Sequence, residues 1–437
     1  MKVLKFGGTS VGTAERIKHV AGLVSGRGKN IIVLSAMAGT TNTLVEISGY
    51  LFKKNVEGAK ETINNLERKY FQTIAELYDD AELRNEAERE IKACFNYIRS
   101  MTKDVFTSFE EKEILAQGEI MSTLMMHLYM QGIGVNSALI PALEYMRTDK
   151  NGEPDMQHIR QRLNNLLDKH PEADLYITQG YICRNAYGEI DNLQRGGSDY
   201  SASLIGAAVG AEEIEIWTDI DGMHNNDPRY VEGTRPVERL SFDEAAELAY
   251  FGAKILHPMC VQPAKYANIP VRLLNTMDPS AKGTLIGNDS DCGAIKAVAA
   301  KDNIIAIRVR SGRMLLAYGF LKNVFETFEA HRTPIDMVAT SEVGVSLTID
   351  SDKNLDSILE DLRKFGTVTV DRDMVIICVV GSFDWKNCGF EANVISALKD
   401  IPVRMICYGG SDCNISFLVR KEDKVKALNL LSEKLFD

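Results

Sequence analysis

"MKVLKFGGTS" (residues 1–10) opens the chain with a short apolar run, Val3-Leu4-Lys5-Phe6, closed by two adjacent glycines, Gly7 and Gly8, and two hydroxyls. From Thr13 to Val24, apolar residues recur at Ile17, Val20 and Val24, close to helical spacing. Strand, glycine turn and helix is the order that sets backbone N–H groups and a helix N-terminus against a phosphate. Glycine suits such a turn because a Cβ would block close approach or forbid the dihedrals. An ordinary β-α turn that happens to contain two glycines is the plainer reading. Lys5, two residues before the glycines, adds a cation where a phosphate would lie. The pattern is neither a P-loop, whose lysine follows its last glycine, nor a G-x-G-x-x-G dinucleotide fingerprint.

Working outward, similar apolar runs recur: "KNIIVLSA" (29–36), "GVNSALI" (134–140), "DLYITQGYI" (174–182), "EIEIWTDI" (213–220) and "IPVRLLN" (269–275). Helical patterns separate them. Runs apolar on both faces predict a largely parallel sheet between helical layers, a three-layer αβα sandwich. Residues 54–112 differ: they are charged, with Leu66, Tyr70, Ile74 and Leu77 at helical spacing, and predict a helical hairpin inserted into this domain. The polar segment "NDSDCG" (288–293) reads as its end, giving a first domain over 1–290.

Beyond it lies an internal repeat. "GFLKNVFETFEAHRTPIDMVATSEVGVSLTID" begins at Gly319 and "GFEANVISALKDIPVRMICYGGSDCNISFLV" at Gly389. Each copy predicts a helix, a proline turn, a strand (335–339; 403–408), a serine-acid pair and an alternating second strand, with a further strand before the helix. Such β-α-β-β units are ferredoxin-like. They divide 293–437 into copies over about 303–371 and 372–437, with a strand near 294–301 joining the second.

Composition bounds the function. The 437 residues suffice for two to three domains. A net charge of −11 argues against a nucleic-acid surface, although a local basic pocket is compatible with it. The eight cysteines form no C-x-x-C pair, and no His/Cys/Asp grouping has metal-ligand spacing. With no apolar run near 18 residues and no signal peptide, the expectation is a cytoplasmic protein without membrane contact.

Five clusters in the first domain carry chemistry besides Lys5. "LSAMAGTTN" (34–42) ends the second run with small and hydroxyl residues. "AQGEIMSTLMMHL" (116–128) places Glu119 amid apolar residues, as a solvated or capping carboxylate or as a buried acceptor for a substrate ammonium. "QRGGSDYSA" (194–202) joins Arg195, whose planar fork suits a carboxylate, to a second Gly-Gly, Ser198 and Asp199 at a helix start. "WTDIDGMHNNDPR" (217–229) closes a strand with Thr218 and Asp219 before a polar loop to Arg229. "FGAKILHP" (251–258) holds Lys254, alone no more than a surface lysine, and His257, read as structural. Two lysines, two Gly-Gly turns, an arginine and an isolated aspartate suit phosphoryl transfer, which needs positive charge and fixed geometry more than covalent chemistry.

"KFGGTS", "LSAMAGTTN", "GE" at 118–119, "RGGSD", "WTDIDG", "DPR" and "GAKILHP", in this order, resemble the aspartate kinases of the amino-acid kinase fold, and the repeat resembles the tandem ACT domains that follow that kinase domain. The resemblance covers essentially the whole chain. Its length leaves no room for a fused homoserine dehydrogenase, so the type implied is monofunctional. "TSEVGVSLT" and "RMICYGGSDCNISFLV" are most similar to the lysine-sensitive type. What the resemblance implies is ATP-dependent phosphorylation of L-aspartate to 4-phospho-L-aspartate, with Mg2+ entering on the nucleotide. Lys5, Asp199 and Lys254 would be catalytic. Thr41, Glu119, Arg195 and Ser198 would hold aspartate. Lys5, Gly7, Gly8, Thr218, Asp219, His224, Asp227, Arg229 and Lys254 would hold ATP. Lysine, the implied feedback effector, would meet Met314, Tyr318, Asp336, Thr340, Ser341 and Glu342, unless Asp336 is merely a strand-start cap. A homodimer through the ACT-like units is expected, with pairing into tetramers open. Two departures stand out: Asp191-Asn192-Leu193-Gln194 where the family often has Thr-Thr-Leu-Gly, and His224-Asn225-Asn226 where it often has Tyr-Thr-Thr. Acetylglutamate or glutamate kinases share the fold but would not be expected to carry two ACT units. An inactive ACT-type sensor would have no reason to retain Lys5, Asp199 and Lys254.

Overall fold

The structure, a computed structural model, describes residues 1–102, 105–193, 196–252, 256–288, 295–312, 318–383 and 389–436. Arg195, Lys254 and Met314 lie outside the described residues. The chain forms two compact units, Met1–Met223 with Ile255–Asn288, and His224–Lys254 with Asp289–Asp437. By its contacts the segment His224–Lys254 groups with the second unit.

The first unit begins β1 (Lys2–Phe6), α1 (Ala14–Val24), β2 (Asn30–Leu34), α2 (Thr40–Phe52), α3 (Val56–Leu77), α4 (Ala81–Ser100) and α5 (Ser108–Gly132). It continues β3 (Ser137–Leu139), α6 (Met156–Leu167), β4 (Leu175–Gln179), β5 (Ile182–Arg184), β6 (Ile190–Asn192), α7 (Gly197–Val209) and β7 (Ile214–Thr218). The chain then gives β8 (Arg239–Ser241) and α8 (Phe242–Phe251) to the second unit. It returns with α9 (Pro258–Ala267), β9 (Val271–Asn275) and β10 (Thr284–Gly287).

The strands of the first unit run β3-β4-β2-β1-β7-β9-β10, parallel except for β10. Every residue of β2 is buried, as the unbroken apolar run requires. The hairpin α3–α4 shares its core with the sheet: Tyr70 and Phe95 stack edge to face at 5.7 Å within the cluster that also holds Leu4, Phe6 and Ile32. Thr107 and Glu110 form a capping box that starts α5, the helix carrying Glu119.

The second unit continues β11 (Ile295–Arg310), α10 (Phe320–Ala330), β12 (Val338–Ser341), β13 (Gly344–Ile349), α11 (Leu355–Arg363) and β14 (Thr367–Gly381). It ends α12 (Phe390–Ala397), β15 (Met405–Tyr408), β16 (Asn414–Arg420) and α13 (Lys424–Phe436). Its antiparallel sheet runs β12-β13-β11-β14-β16-β15. β11 and β14 serve both repeats: Ile295–Lys301 pairs with Ile376–Gly381, and Ile304–Arg310 with Thr367–Met374. The repeat shows in the backbone, since Asn303 and Asp373, and the caps Gly319 and Gly389, have φ of 62°, 53°, 84° and 94°. The expected strand at 335–339 starts later. Asp336 N–H donates to Thr348 O and Met337 N–H to Thr348 Oγ1, and the ladder proper begins at Val338.

The segment from His224 joins this unit through specific bonds. Val298 N–H donates to Asn225 O at 2.8 Å, Asn226 Nδ2 to Leu428 O at 3.0 Å, and Lys424 Nζ lies 4.2 Å from the Tyr230 ring centre. Gly252 ends α8 beside β11, where a Cβ would lie 2.5 Å from Ala300 O.

Candidate active site

In the first unit the predicted residues gather at the carboxyl ends of β1, β2, β4 and β7, where ligands of open parallel sheets bind. Lys5 is the penultimate residue of β1 and is 9% exposed. Its Nζ lies 2.6 Å from Asp199 Oδ1, an ion pair by distance although that oxygen is not aligned as a hydrogen-bond acceptor. Asp199 stands in the first turn of α7.

The β1 turn is tight for a definable reason. Gly7 N–H donates to Trp217 O, and Ala38 N–H to Gly8 O. A Cβ on Gly8 would lie 2.7 Å from Ala36 O, so only glycine lets the turn meet the loop after β2. Gly7 faces the cation, its Cβ position 3.7 Å from Lys5 Nζ. Thr218 ends β7 beside β1, with its Oγ1 3.2 Å from Asp219 Oδ1.

The Ala36 loop also meets Glu119, which is 3% exposed. Its Oε1 accepts from Ala36 N–H at 3.2 Å, and Oε2 has no hydrogen-bond partner among the described residues. Burial pushes its carboxyl up to about 8, against a smaller lowering by the backbone bonds. Gly118 allows this approach, since a Cβ there would lie 2.8 Å from Ala36 Cβ. Thr41 is half-buried in the first turn of α2, whose neighbour Thr40 bonds Tyr70. Glu119 is thus a buried carboxylate and not a solvated or capping one.

The second Gly-Gly is explained by packing. Gly196 has φ 75°, and a Cβ there would lie 2.7 Å from His257 Cβ; one on Gly197 would lie 2.6 Å from Tyr181 Cδ2. Ser198 presses on Gly180, where a Cβ would lie 2.6 Å from Ser198 Cβ. His257 is structural: it caps α9, its Nδ1 accepting from Met259 N–H at 3.3 Å. Tyr181 escaped the sequence reading. Its φ of 67° is uncommon for a non-glycine residue. Its N–H donates to Ser201 Oγ and its carbonyl accepts from Leu193 N–H, fixing the start of α7. The signal available was "QGY", a glycine between a strand and an aromatic.

His224, Asp227 and Arg229 lie in the second unit. There Arg229 pairs with Asp227 at 2.6 Å, and, although burial alone would raise it, this pairing holds the Asp227 carboxyl below its usual value. His224 Nδ1 lies 3.0 Å from Thr234 Oγ1. Of the departures noted above, Asp191 pairs with Lys112 at 2.8 Å, and Asn225 and Asn226 are buried.

Among the predicted effector residues, Tyr318 is fully exposed, Thr340 and Ser341 are the exposed last residues of β12, and Glu342 opens the exposed turn to β13. The Asp336 side chain is buried, and Lys301 Nζ and Tyr250 Oη each approach its Oδ1 to 2.6 Å. It does not cap a strand start.

Residues 1–275 match the model of the amino acid kinase family, and 377–435 that of an ACT domain. The chain is 33% identical to the lysine-sensitive aspartokinase 3 of Escherichia coli, covering all of this chain and 99% of that one. It is 34% identical to the chloroplastic aspartokinase 1 of Arabidopsis thaliana, covering all of this chain and 80% of that one. The crystal structure of E. coli aspartokinase III in complex with aspartate and ADP (R-state) superposes over the full length of both chains with a TM-score of 0.85 at 32% identity. Its complex with lysine and aspartate (T-state) does so at 0.83. The family model over residues 1–275 and these full-length relatives, joined to the Lys5–Asp199 pair and the buried Glu119 at the carboxyl ends of the sheet, show that this chain belongs to the amino acid kinase family, among the aspartokinases.

Proposed function

We propose that the chain transfers the γ-phosphoryl group of MgATP to the β-carboxylate of L-aspartate, giving 4-phospho-L-aspartate and ADP, the first step toward lysine, threonine and methionine. The observation that carries this reading is the pairing of Lys5 with Asp199 beside a glycine turn, across from a buried, half-satisfied Glu119. Lys5 would offset charge on the transferred group, and Asp199 would hold its ammonium in place. Gly7 and Gly8 would let phosphate oxygens approach the backbone. The attacking carboxylate is ionised at neutral pH and needs no general base. Glu119 Oε2 would take the substrate's ammonium, with Thr41 and Ser198 beside it. Arg195 would grip the α-carboxylate and Lys254 would join Lys5, both assigned by family resemblance.

Thr218 and Asp219 are proposed to hold the nucleotide, together with the loop carrying His224, Asp227 and Arg229. Among the described residues, no group of three His, Cys, Asp or Glu side chains is arranged to hold a metal ion. Magnesium is proposed to enter on the phosphates, completed by water. No helix among the described residues is long and apolar enough to cross a membrane, and a cytoplasmic site of action is proposed.

The effector is proposed to be lysine, held in the first repeat by Asp336 and by Thr340, Ser341 and Glu342, with Met314 and Tyr318 contributing by family resemblance. The E. coli relative crystallised with lysine supports this. A homodimer through the repeats is proposed. Edge-to-edge pairing is not its simplest basis, because the sheet edges β12 and β15 face each other in one chain, with Cys407 Sγ 3.1 Å from Val338 O. α10 offers Leu321 and Phe325, 36% and 40% exposed, as an alternative apolar surface.

A coupled ADP-release assay with aspartate, acetylglutamate and glutamate tests the reaction. Turnover with aspartate alone is expected; preference for acetylglutamate or glutamate, or no turnover with any of the three, would overturn it.

A further inference from the structure

The anion proposed for the effector is already engaged by a lysine of the chain itself. Lys301 Nζ lies 2.6 Å from Asp336 Oδ1 and 3.0 Å from Asp350 Oδ2, and 4.3 Å from the centre of the Tyr250 ring. Two carboxylates and an aromatic face are the groups that recognise an alkylammonium. The Lys301 and Asp336 side chains are 17% and 2% exposed, and Tyr250 Oη donates to the same Oδ1 at 2.6 Å. Asp336 Oδ2 is buried and has no hydrogen-bond partner among the described residues, an acceptor left for a further donor. Asp350 lines an open cavity of about 560 Å³, together with Pro334 and Lys353, so the cage borders space a small molecule can enter.

The second repeat carries the same arrangement with every charge reversed. Asp371, Arg404 and Arg420 stand at the places of Lys301, Asp336 and Asp350. Lys301 and Asp371 each precede by two residues the positive-φ residues Asn303 and Asp373. Asp336 and Arg404 N–H groups donate to Thr348 O and Leu418 O, and Arg404 Nε pairs with Asp371 at 2.9 Å. An ion pair across this position therefore belongs to the frame of the repeat. The copies differ in burial: the Asp336 side chain is 2% exposed and that of Asp371 46%, and among the described residues Asp336 Oδ2 is a buried carboxylate oxygen without a partner.

We propose that Lys301 is a tethered competitor for the side-chain ammonium of the effector, holding Asp336 when lysine is absent and setting the lysine concentration at which inhibition begins. Removing the internal ammonium leaves Asp336 and Asp350 a net anionic cage, which favours an external cation. The proposal rests on the reading of Asp336 as the effector's anion.

The test is calorimetric binding of lysine, with turnover at increasing lysine, on full-length wild type, Lys301→Met and Lys301→Arg. Norleucine, which has lysine's chain without its ammonium, is the control ligand. Lys301→Met should bind lysine and reach half inhibition at about tenfold lower lysine, the low end for loss of a competing charge-assisted bond. Lys301→Arg, which keeps the charge, should stay within about threefold of wild type, and norleucine should gain nothing in any variant. Lys301→Gln replaces the methionine variant if that chain does not fold. Unchanged or weakened lysine affinity in the neutral variants, with wild type binding lysine, overturns the competitor alone. An equal gain for norleucine also overturns it, since the gain would not then depend on an ammonium. No lysine binding to wild type or to the neutral variants overturns the effector reading beneath it as well.

Discussion

Glu119 shows how one residue couples substrate recognition to stability. Its carboxyl is pushed up to about 8 by burial, whereas in the unfolded chain it titrates near the ordinary value of about 4.3. Between these values the ligand-free native state holds a proton that the unfolded state has released, so stability is full below about pH 4 and is lost as pH rises toward 8, by at most about 1.4 kcal/mol per pH unit. Glu119→Gln should abolish this slope: melting of the variant should overtake wild type progressively from pH 5.5 to 8.5, and saturating aspartate should close the gap by supplying an ammonium. A pH-independent difference would contradict the assignment. The same variant should raise the aspartate KM by about tenfold or more, as for loss of a charge-assisted bond, with the ATP KM nearly unchanged. At the other end of the site, Lys5→Ala should lower kcat by roughly two to three orders of magnitude while substrate affinities change less. A variant that retains more than about a tenth of wild-type turnover would remove Lys5 from the mechanism.

At the scale of the element, the β1 turn is the part most exposed to a single methyl group. Gly8→Ala puts a Cβ 2.7 Å from Ala36 O, a backbone atom that cannot swing aside. The loop after β2 must move, carrying the Ala36 N–H that orients Glu119. The expected cost is about 1–3 kcal/mol of stability by overpacking, with KM raised for both substrates. Thermal melting and two-substrate kinetics check this; an effect on ATP alone would uncouple the turn from the aspartate side. Much of this element was legible in the sequence, because a strand, a glycine pair and a helical period are all local signals. Two things were not. Whether Glu119 is buried depends on Gly118 meeting Ala36, a contact between residues distant in the sequence. Nor could local pattern reveal that 224–252 packs with the unit of the repeats, because its ties are to Val298, Ala300 and Leu428. Tyr181, at φ 67°, was hidden for the same reason: the partners of its backbone are Ser201 Oγ and the Leu193 N–H, both reached only in the fold.

For the whole molecule, regulation requires an effector with different affinities for two states, and couplings of about 1–3 kcal/mol are typical. Tyr250, which donates to Asp336, sits on the helix whose sequence runs on to Lys254 within four residues. Asp336→Ala should therefore raise the lysine needed for half inhibition, relative to the variant's own uninhibited rate, by tenfold or more, comparable to loss of a charged partner. Inhibition by threonine and not by lysine in wild type would contradict the regulatory assignment and leave the kinase assignment intact. The repeat itself was legible because its glycine caps, helices and alternating strands recur at a fixed offset. The reversed charges of its two copies became meaningful only once the fold paired them. The central claim is phosphorylation of aspartate at its side-chain carboxylate, and the most direct measurement is product trapping. Wild type incubated with MgATP, L-aspartate and hydroxylamine should yield the β-hydroxamate of aspartate in step with ADP, and Lys5→Ala should lose both together. ADP release without hydroxamate, or trapping at the α-carboxylate, would contradict the account.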